Sequence, residues 1–144
     1  DETGVVFAGA ENTAKGAYTL LEASSGKPEV ILIATGSEVE IAVAARTQLE
    51  AAGVATRVVS APCLEWFDEQ PAAYREQVLP AAVKAKVSVE AGLALGWNKY
   101  VGPFGQSVSI EHFGASADAK TLYREFGMTA EAVVSAAKST IAAL

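Results

Sequence analysis

EVILIATGSEVEIAVAARTQLEAAGVATRVVS, residues 29–60, is the stretch on which the fold turns. Its opening, EVILIATG, is a continuous apolar run rich in β-branched residues. Such a run suits a strand buried on both faces of a parallel sheet. Ser37 then begins SEVE, the pattern of a capping box in which Ser37 caps a helix and Glu40 reaches back. Val39, Ala42, Val43, Ala45, Leu49 and Ala52 follow on one helical face, and Gly53 supplies the stop. VATRVVS returns as a second strand. Strand, tight Gly-Ser turn, helix, Gly stop and strand make a βαβ unit, which closes right-handed almost without exception.

The same grammar continues on both sides. Downstream, PCLEWFDEQ reads as a loop or short helix, and PAAYREQVL as a helix with Pro71 at its tolerated start. KVSVEA is a third core strand and QSVSIEHF, residues 106–113, a fourth. DAKTLYREFG is a helix that stops at Gly127. Thr129 caps a terminal helix whose apolar stripe is expected to be Val134, Ala137, Ile141 and Leu144. Upstream, AYTLLEA (17–23) reads as a short strand before the turn SSGKP. Residues 1–15 show no period and read as a lead-in, with the domain occupying 16–144. The expected fold is a three-layer α/β/α sandwich with a mainly parallel sheet.

The chain has 144 residues, enough for one domain with a real core, and its 51% hydrophobic and 19% charged content is that of a folded globular protein. Net charge is −6. With that balance and no basic run, nucleic acid and anionic membranes are poor partner candidates. The single cysteine, Cys63, excludes an internal disulfide and any multi-cysteine metal site. No apolar run reaches the length of a membrane span, and the N-terminus lacks the pattern of a signal peptide. A cytoplasmic soluble domain is the expectation. The mixed lead-in without an initiator Met suggests a fragment of something larger.

Four places could carry chemistry, and each has a plainer reading. Thr35, Gly36, Ser37 and Glu38 stand at a helix N-terminus after a buried strand, a geometry that holds phosphate or carboxylate. In the plainer reading Ser37, Glu38 and Glu40 already satisfy those N–H groups. No Gly-Lys-Ser/Thr and no G-x-G-x-x-G follows. His112, the only histidine, could act as a general base with Glu111 or Glu90 beside it, or be structural or part of an interface. Cys63 could be a nucleophile, but nothing near it in sequence offers a base. Asp68 and Glu69 look like solvated loop charges. In VSVEAGLALGWNKYVG (87–102), Trp97 and Tyr100 are three apart and share a face in a helical turn. With Lys99 they form either an interface hot spot or satellite core beneath a loop. No self-sufficient catalytic set is visible.

Taken together, EVILIATGSEVEIAV, TRVVSAPCLEWFDEQPAAYREQVLP, KVSVEAGLALGWNKYVG and FGASADAKTLYREFGMTAEAV closely resemble the C-terminal domain of transketolase. The match runs from Pro28 to the C-terminus, with a looser fit back to Gly16. The resemblance implies a five-stranded mixed sheet with one antiparallel strand, for which AYTLLEA is the natural candidate. It implies a parent enzyme that moves a two-carbon ketol unit between sugar phosphates in the pentose phosphate pathway, using thiamine diphosphate and Mg2+ or Ca2+. It also implies that the cofactor and the catalytic residues lie on other domains, so no catalytic, cofactor or metal residue carries over to this chain. Family members commonly have Met-Pro-Ser where this chain has Ala61, Pro62 and Cys63. The expected role is assembly and stability, with Trp97, Lys99, Tyr100 and His112 as candidate contacts to the other domains and the second subunit. The alternative is a regulatory anion-binding module built on Thr35, Gly36, Ser37 and Glu38.

Overall fold

A computed structural model describes residues 7–144. Five strands form one sheet in the order β1-β3-β2-β4-β5. They are β1 (Tyr18–Leu21), β2 (Val30–Ala34), β3 (Thr56–Ser60), β4 (Ala85–Val89) and β5 (Gln106–Val108). β1 runs antiparallel to β3, and every other pair is parallel. The expected mixed sheet and its single antiparallel strand are both present, and AYTLLEA supplies that strand.

β2 is the axis of the molecule. Its five side chains are all fully buried, and it pairs with β3 on one edge and β4 on the other. Strand pleating sends alternate residues to opposite faces. Val30, Leu32 and Ala34 meet α1 (Glu38–Ala51) and α6 (Ala130–Ala142). Ile31 and Ile33 meet α2 (Leu64–Asp68), α3 (Ala72–Val78) and α4 (Asn98–Val101) through Phe67, Val78, Trp97 and Val101. α5 (Ala119–Glu125) lies at the edge of the first layer, where Tyr123 packs against that core. Helices on both faces of a mostly parallel sheet complete the three-layer sandwich.

Several details differ from the sequence expectation, each for a physical reason. The capping box does not form. Ser37 already has helical backbone angles (φ −67°, ψ −25°), whereas a capping side chain needs an extended residue. The N–H groups of Glu38, Val39 and Glu40 instead bond to the carbonyls of Thr35, Gly36 and Ser37 at 3.2, 3.4 and 3.3 Å. Thr129 and Asp118 are extended, and their side chains accept from Ala132 N–H and Thr121 N–H. The buried line of α1 is Glu38, Ala42, Ala45 and Leu49; Val39 and Val43 lie on its flank and Ala52 is exposed. In α6 the buried stripe is Val133, Ala137 and Thr140; Ala137 is as expected, while Val134 and Ile141 are only partly buried beside it, because the helix packs on the sheet and on α1 together. Leu144 is exposed. β5 stops at Val108, and only Ile110 N–H, bonded to Gly92 O at 2.9 Å, continues the pairing.

Part of the lead-in is ordered: Ala10–Lys15 is a 3-10 helix, while residues 1–6 of the expected lead-in lie outside the described residues. Gly16 ends that helix at φ +81°, and a Cβ there would stand 2.3 Å from the Cys63 carbonyl. Only glycine allows this approach, which brings Cys63 N–H onto Gly16 O at 2.9 Å.

Two polar clamps close the β1 side. Arg57, on β3, makes two bonds to the Glu22 carboxylate (3.0 and 2.7 Å) and two to the carbonyls of Gln77 and Val78 at the end of α3 (2.8 Å each). One guanidinium thereby joins β1, β3 and α3 and covers carbonyls the helix leaves open. Glu50 accepts from Thr56 N–H at 2.8 Å and from both the N–H and the hydroxyl of Ser24, tying the end of α1 to β3 and the β1–β2 turn.

Arg57→Met should destabilise the chain by about 2 kcal/mol in urea unfolding, chiefly by stranding the two carbonyls, since the exposed side of Glu22 stays solvated. A loss near zero would show the clamp to be incidental. Burial opposes the charged form of Glu50, yet the hydrogen bonds from Ser24 and Thr56 and the Arg46 charge hold its pKa below the ordinary value. A depressed folded pKa adds stability above the unfolded pKa, and that stability is lost as pH falls through the folded one. The melting-temperature gap between the parent and Glu50→Gln should be full near neutral pH and close as the pH falls below the ordinary glutamate range.

Candidate functional site

The chain leaves β2 toward β3 on one side and reaches β4 on the other, so strand order reverses beside β2. Open α/β sheets place ligand crevices at the carboxyl ends of strands at such a point. Here that crevice is a cleft of about 240 Å³ between Thr35, the Pro62–Glu65 turn, Glu90 and Trp97. Cys63 and Glu90 are both in it, as their positions after strands suggested, but their company is poor for catalysis. Among the described residues Cys63 Sγ has one hydrogen-bond partner, the Glu65 carboxylate at 3.5 Å, and Glu90 accepts from the Trp97 indole N–H at 2.7 Å. Two carboxylates and no cation line the cleft among the described residues. An anionic ligand there would meet repulsion from both carboxylates.

His112 does not join them. It lies in the exposed loop beyond β5, its Nδ1 2.8 Å from the Phe113 carbonyl and its ring edge-on to Phe126 at 4.6 Å. Glu111 turns the other way and accepts from the Ser109 hydroxyl (2.7 Å) and Ala94 N–H (2.9 Å), bonds that lower its pKa. No carboxylate among the described residues bonds to the imidazole. Among the described residues no group of three or more His, Cys, Asp or Glu side chains converges as metal ligands would.

The start of α1 is closed by side chains from within. Glu38 is buried and accepts from the Tyr123 hydroxyl, which also lies 3.0 Å from Ser37 Oγ. That bond to Glu38 raises the Tyr123 pKa. With Thr35, Gly36 and Ser37 already giving their carbonyls to the first helical N–H groups, a carboxylate stands where an anion would have to dock.

Of the four candidate interface residues, the structure divides the set. Trp97 is only 3% exposed and belongs to the core below α2 and α4. It stacks edge-on with Tyr100 at 6.1 Å, so the shared face is real but points inward. Lys99 and Tyr100 converge on Asp68, at 2.5 and 2.9 Å. Burial opposes the Asp68 carboxylate, but those two donors hold its pKa low; burial and that same bond push Tyr100 up to about 12. Asp68 is therefore a tether and not the loose loop charge its sequence suggested. The partners are 31 and 32 residues away, beyond any local pattern.

What the sequence reading did not single out is an apolar surface. Leu93, Leu95 and Phe113 are 58, 85 and 98% exposed. Leu93 and Phe113, with Ile110 and His112, line a cleft of about 480 Å³ between the loops after β4 and β5. The run GLALG was the available signal, large apolar residues set among glycines outside any periodic element; Phe113 was concealed at the end of the expected strand 106–113.

Comparison with known proteins agrees with the fold. The family described as the transketolase-like TK C-terminal domain matches residues 16–129. The transketolase of Mycobacterium tuberculosis H37Rv is 55% identical over 136 residues, which is 92% of this chain and 19% of that protein. Chloroplastic transketolase of Solanum tuberosum is 57% identical over 129 residues, 89% of this chain and 17% of its own length. The solved transketolase of Leishmania mexicana superposes with a TM-score of 0.87 at 40% identity, over 96% of this chain and 20% of that one. This chain thus spans about one fifth of the length of the curated relatives it matches. Since the matched residues run through all five strands, the chain belongs to the transketolase C-terminal domain family.

Proposed function

We propose that this chain is the C-terminal domain of a larger transketolase and contributes assembly and stability to an enzyme whose chemistry is done elsewhere. The parent reaction is transfer of a two-carbon ketol unit between sugar phosphates with thiamine diphosphate and Mg2+ or Ca2+, in the pentose phosphate pathway of the cytoplasm. Support comes from the family membership and from the small share of each relative that the domain represents. The residues present do not suit the cofactor. The crevice at the strand ends carries Glu65 and Glu90 with no cation to meet a diphosphate.

One observation carries the role: Leu93, Leu95 and Phe113 are exposed at neighbouring loop tips of a chain whose other apolar residues mostly lie in two cores. Exposed apolar groups gathered in one place mark a contact surface. Its occupant in this proposal is the remainder of the transketolase, within the same polypeptide or from the second subunit of a dimer. His112 lies within this surface, while Trp97 supports it from beneath. Nucleic acid and membrane have no part in it, in keeping with the net charge of −6. The anion-sensing alternative at residues 35–38 finds no support in a helix start filled by Glu38.

The purified chain, given thiamine diphosphate, Mg2+, xylulose 5-phosphate and ribose 5-phosphate, should show no turnover; a rate of about 1 s⁻¹ or more would refute the proposal. In a full-length transketolase carrying this domain, Leu95→Asp with Phe113→Asp should weaken dimer or interdomain association by about tenfold or more, read by sedimentation and limited proteolysis. The same pair should leave the melting temperature of the isolated chain unchanged. Trp97→Ala should do the reverse, costing the isolated chain about 3 kcal/mol as a buried-aromatic truncation. If the Asp pair leaves assembly intact, the surface is not the contact proposed.

A further inference from the structure

On the α2–α4 face, away from the crevice at the strand ends, lies a second cleft of about 440 Å³ between α3 and α4. Four of the chain's eleven Lys and Arg residues line it: Arg75, Lys84, Lys86 and Lys99. Only two carboxylates accompany them, and both are engaged. Asp68 is held by Lys99 and Tyr100, and Glu76 accepts from Ala81 N–H at 2.9 Å. Four cations against two carboxylates leave an excess of two positive charges in a chain whose net charge is −6.

Two of these cations are held in ways that the protein itself does not answer. Arg75 Nε is buried and has no hydrogen-bond partner among the described residues. Buried donors in native proteins are nearly always paired, so an orphan of this kind points to a missing acceptor. Lys86 projects from the central part of the sheet, is 7% exposed, and donates to the Val83 carbonyl while forming no ion pair among the described residues. Burial and the neighbouring charge of Lys84 both press against its ammonium and lower its pKa, with Glu76 giving partial relief. A buried charge without a counter-charge is costly, and the position on β4 would otherwise favour an apolar side chain. Phe104, about half exposed, and Leu79 add an apolar wall beside the charges.

We propose that this cleft is a binding site for a small organic phosphate ester. Its dianionic head sits between Arg75, Lys84 and Lys86, and its apolar body lies on Leu79 and Phe104. A phosphate dianion matches the two excess charges, and guanidinium and ammonium donors are the side chains that recognise it. The volume is that of a small-molecule site, lined by apolar groups with a few convergent polar ones. The site is independent of the contact surface at Leu95 and Phe113 and of the parent reaction.

The test is calorimetric titration of the 144-residue chain with phenyl phosphate at low ionic strength. Saturable binding of one equivalent with a Kd below about 1 mM is expected, weaker binding of inorganic phosphate, and none of benzyl alcohol. Added salt should weaken it. Arg75→Ala should weaken binding by about tenfold and Lys84→Ala by about fivefold. Lys84 is exposed, so its variant tests the site without endangering the fold, while Lys138→Ala on α6 should bind as the parent does. No saturable binding up to about 10 mM would overturn the proposal. So would Arg75 and Lys84 variants that bind phenyl phosphate as tightly as the parent.

Discussion

The complete burial of β2 is the constraint from which the rest of the architecture follows. A strand of five apolar residues with no exposed face and no exposed edge requires a layer of helices on each side and a neighbour along each edge. The chain meets the edge requirement by sending β3 to one side and β4 to the other, and this reversal creates the crevice at the strand ends. It meets the face requirement with alanines on α1, whose small side chains let helix and sheet approach closely, and with larger residues opposite, where short helices leave more space to fill. Hydrophobic transfer supplies the drive, and pleating decides which residue serves which layer.

The two layers are not equivalent. The α1–α6 side is built from long helices and carries almost no buried charge beyond Glu38. The α2–α4 side is built from short helices, which cannot satisfy their own ends; Arg57 covers the last carbonyls of α3, and the Asp68–Lys99–Tyr100 bonds tie α2 to α4. Short helices joined by loops also leave clefts between them. Polar density and cavity space therefore collect on the same face, while the exposed Leu93, Leu95 and Phe113 lie in the loops beyond β4 and β5 together with the exposed His112.

Much of the fold was legible because it rests on local periodicity. The all-apolar VILIA, the helix that follows it, the glycine stop and the return strand needed no tertiary information, and the expected cap at Thr129 formed where extended backbone precedes a helix. The capping box at Ser37 failed because its sequence pattern says nothing of the backbone angles on which it depends. The α6 stripe was partly displaced because helical period locates an apolar face only to within the width of its packing, and this helix packs on two neighbours. The long fourth strand shrank because alternation persists in a sequence even where no partner strand remains to pair with it.

By itself the sequence determined the strand and helix periods and the layer architecture. Those depend on neighbours in the chain and on the gross balance of apolar and charged residues. Tertiary structure alone decided that Trp97 faces inward, that Asp68 holds Lys99 and Tyr100, and that Leu93, Leu95 and Phe113 come out together. It alone gathered Arg75, Lys84, Lys86 and Lys99 around one cleft. Scattered over two dozen positions, those four cations form no basic run. They become a field of one sign only when the crossover from α3 to β4 folds back beside α4, because charges act through distance in space and not along the chain.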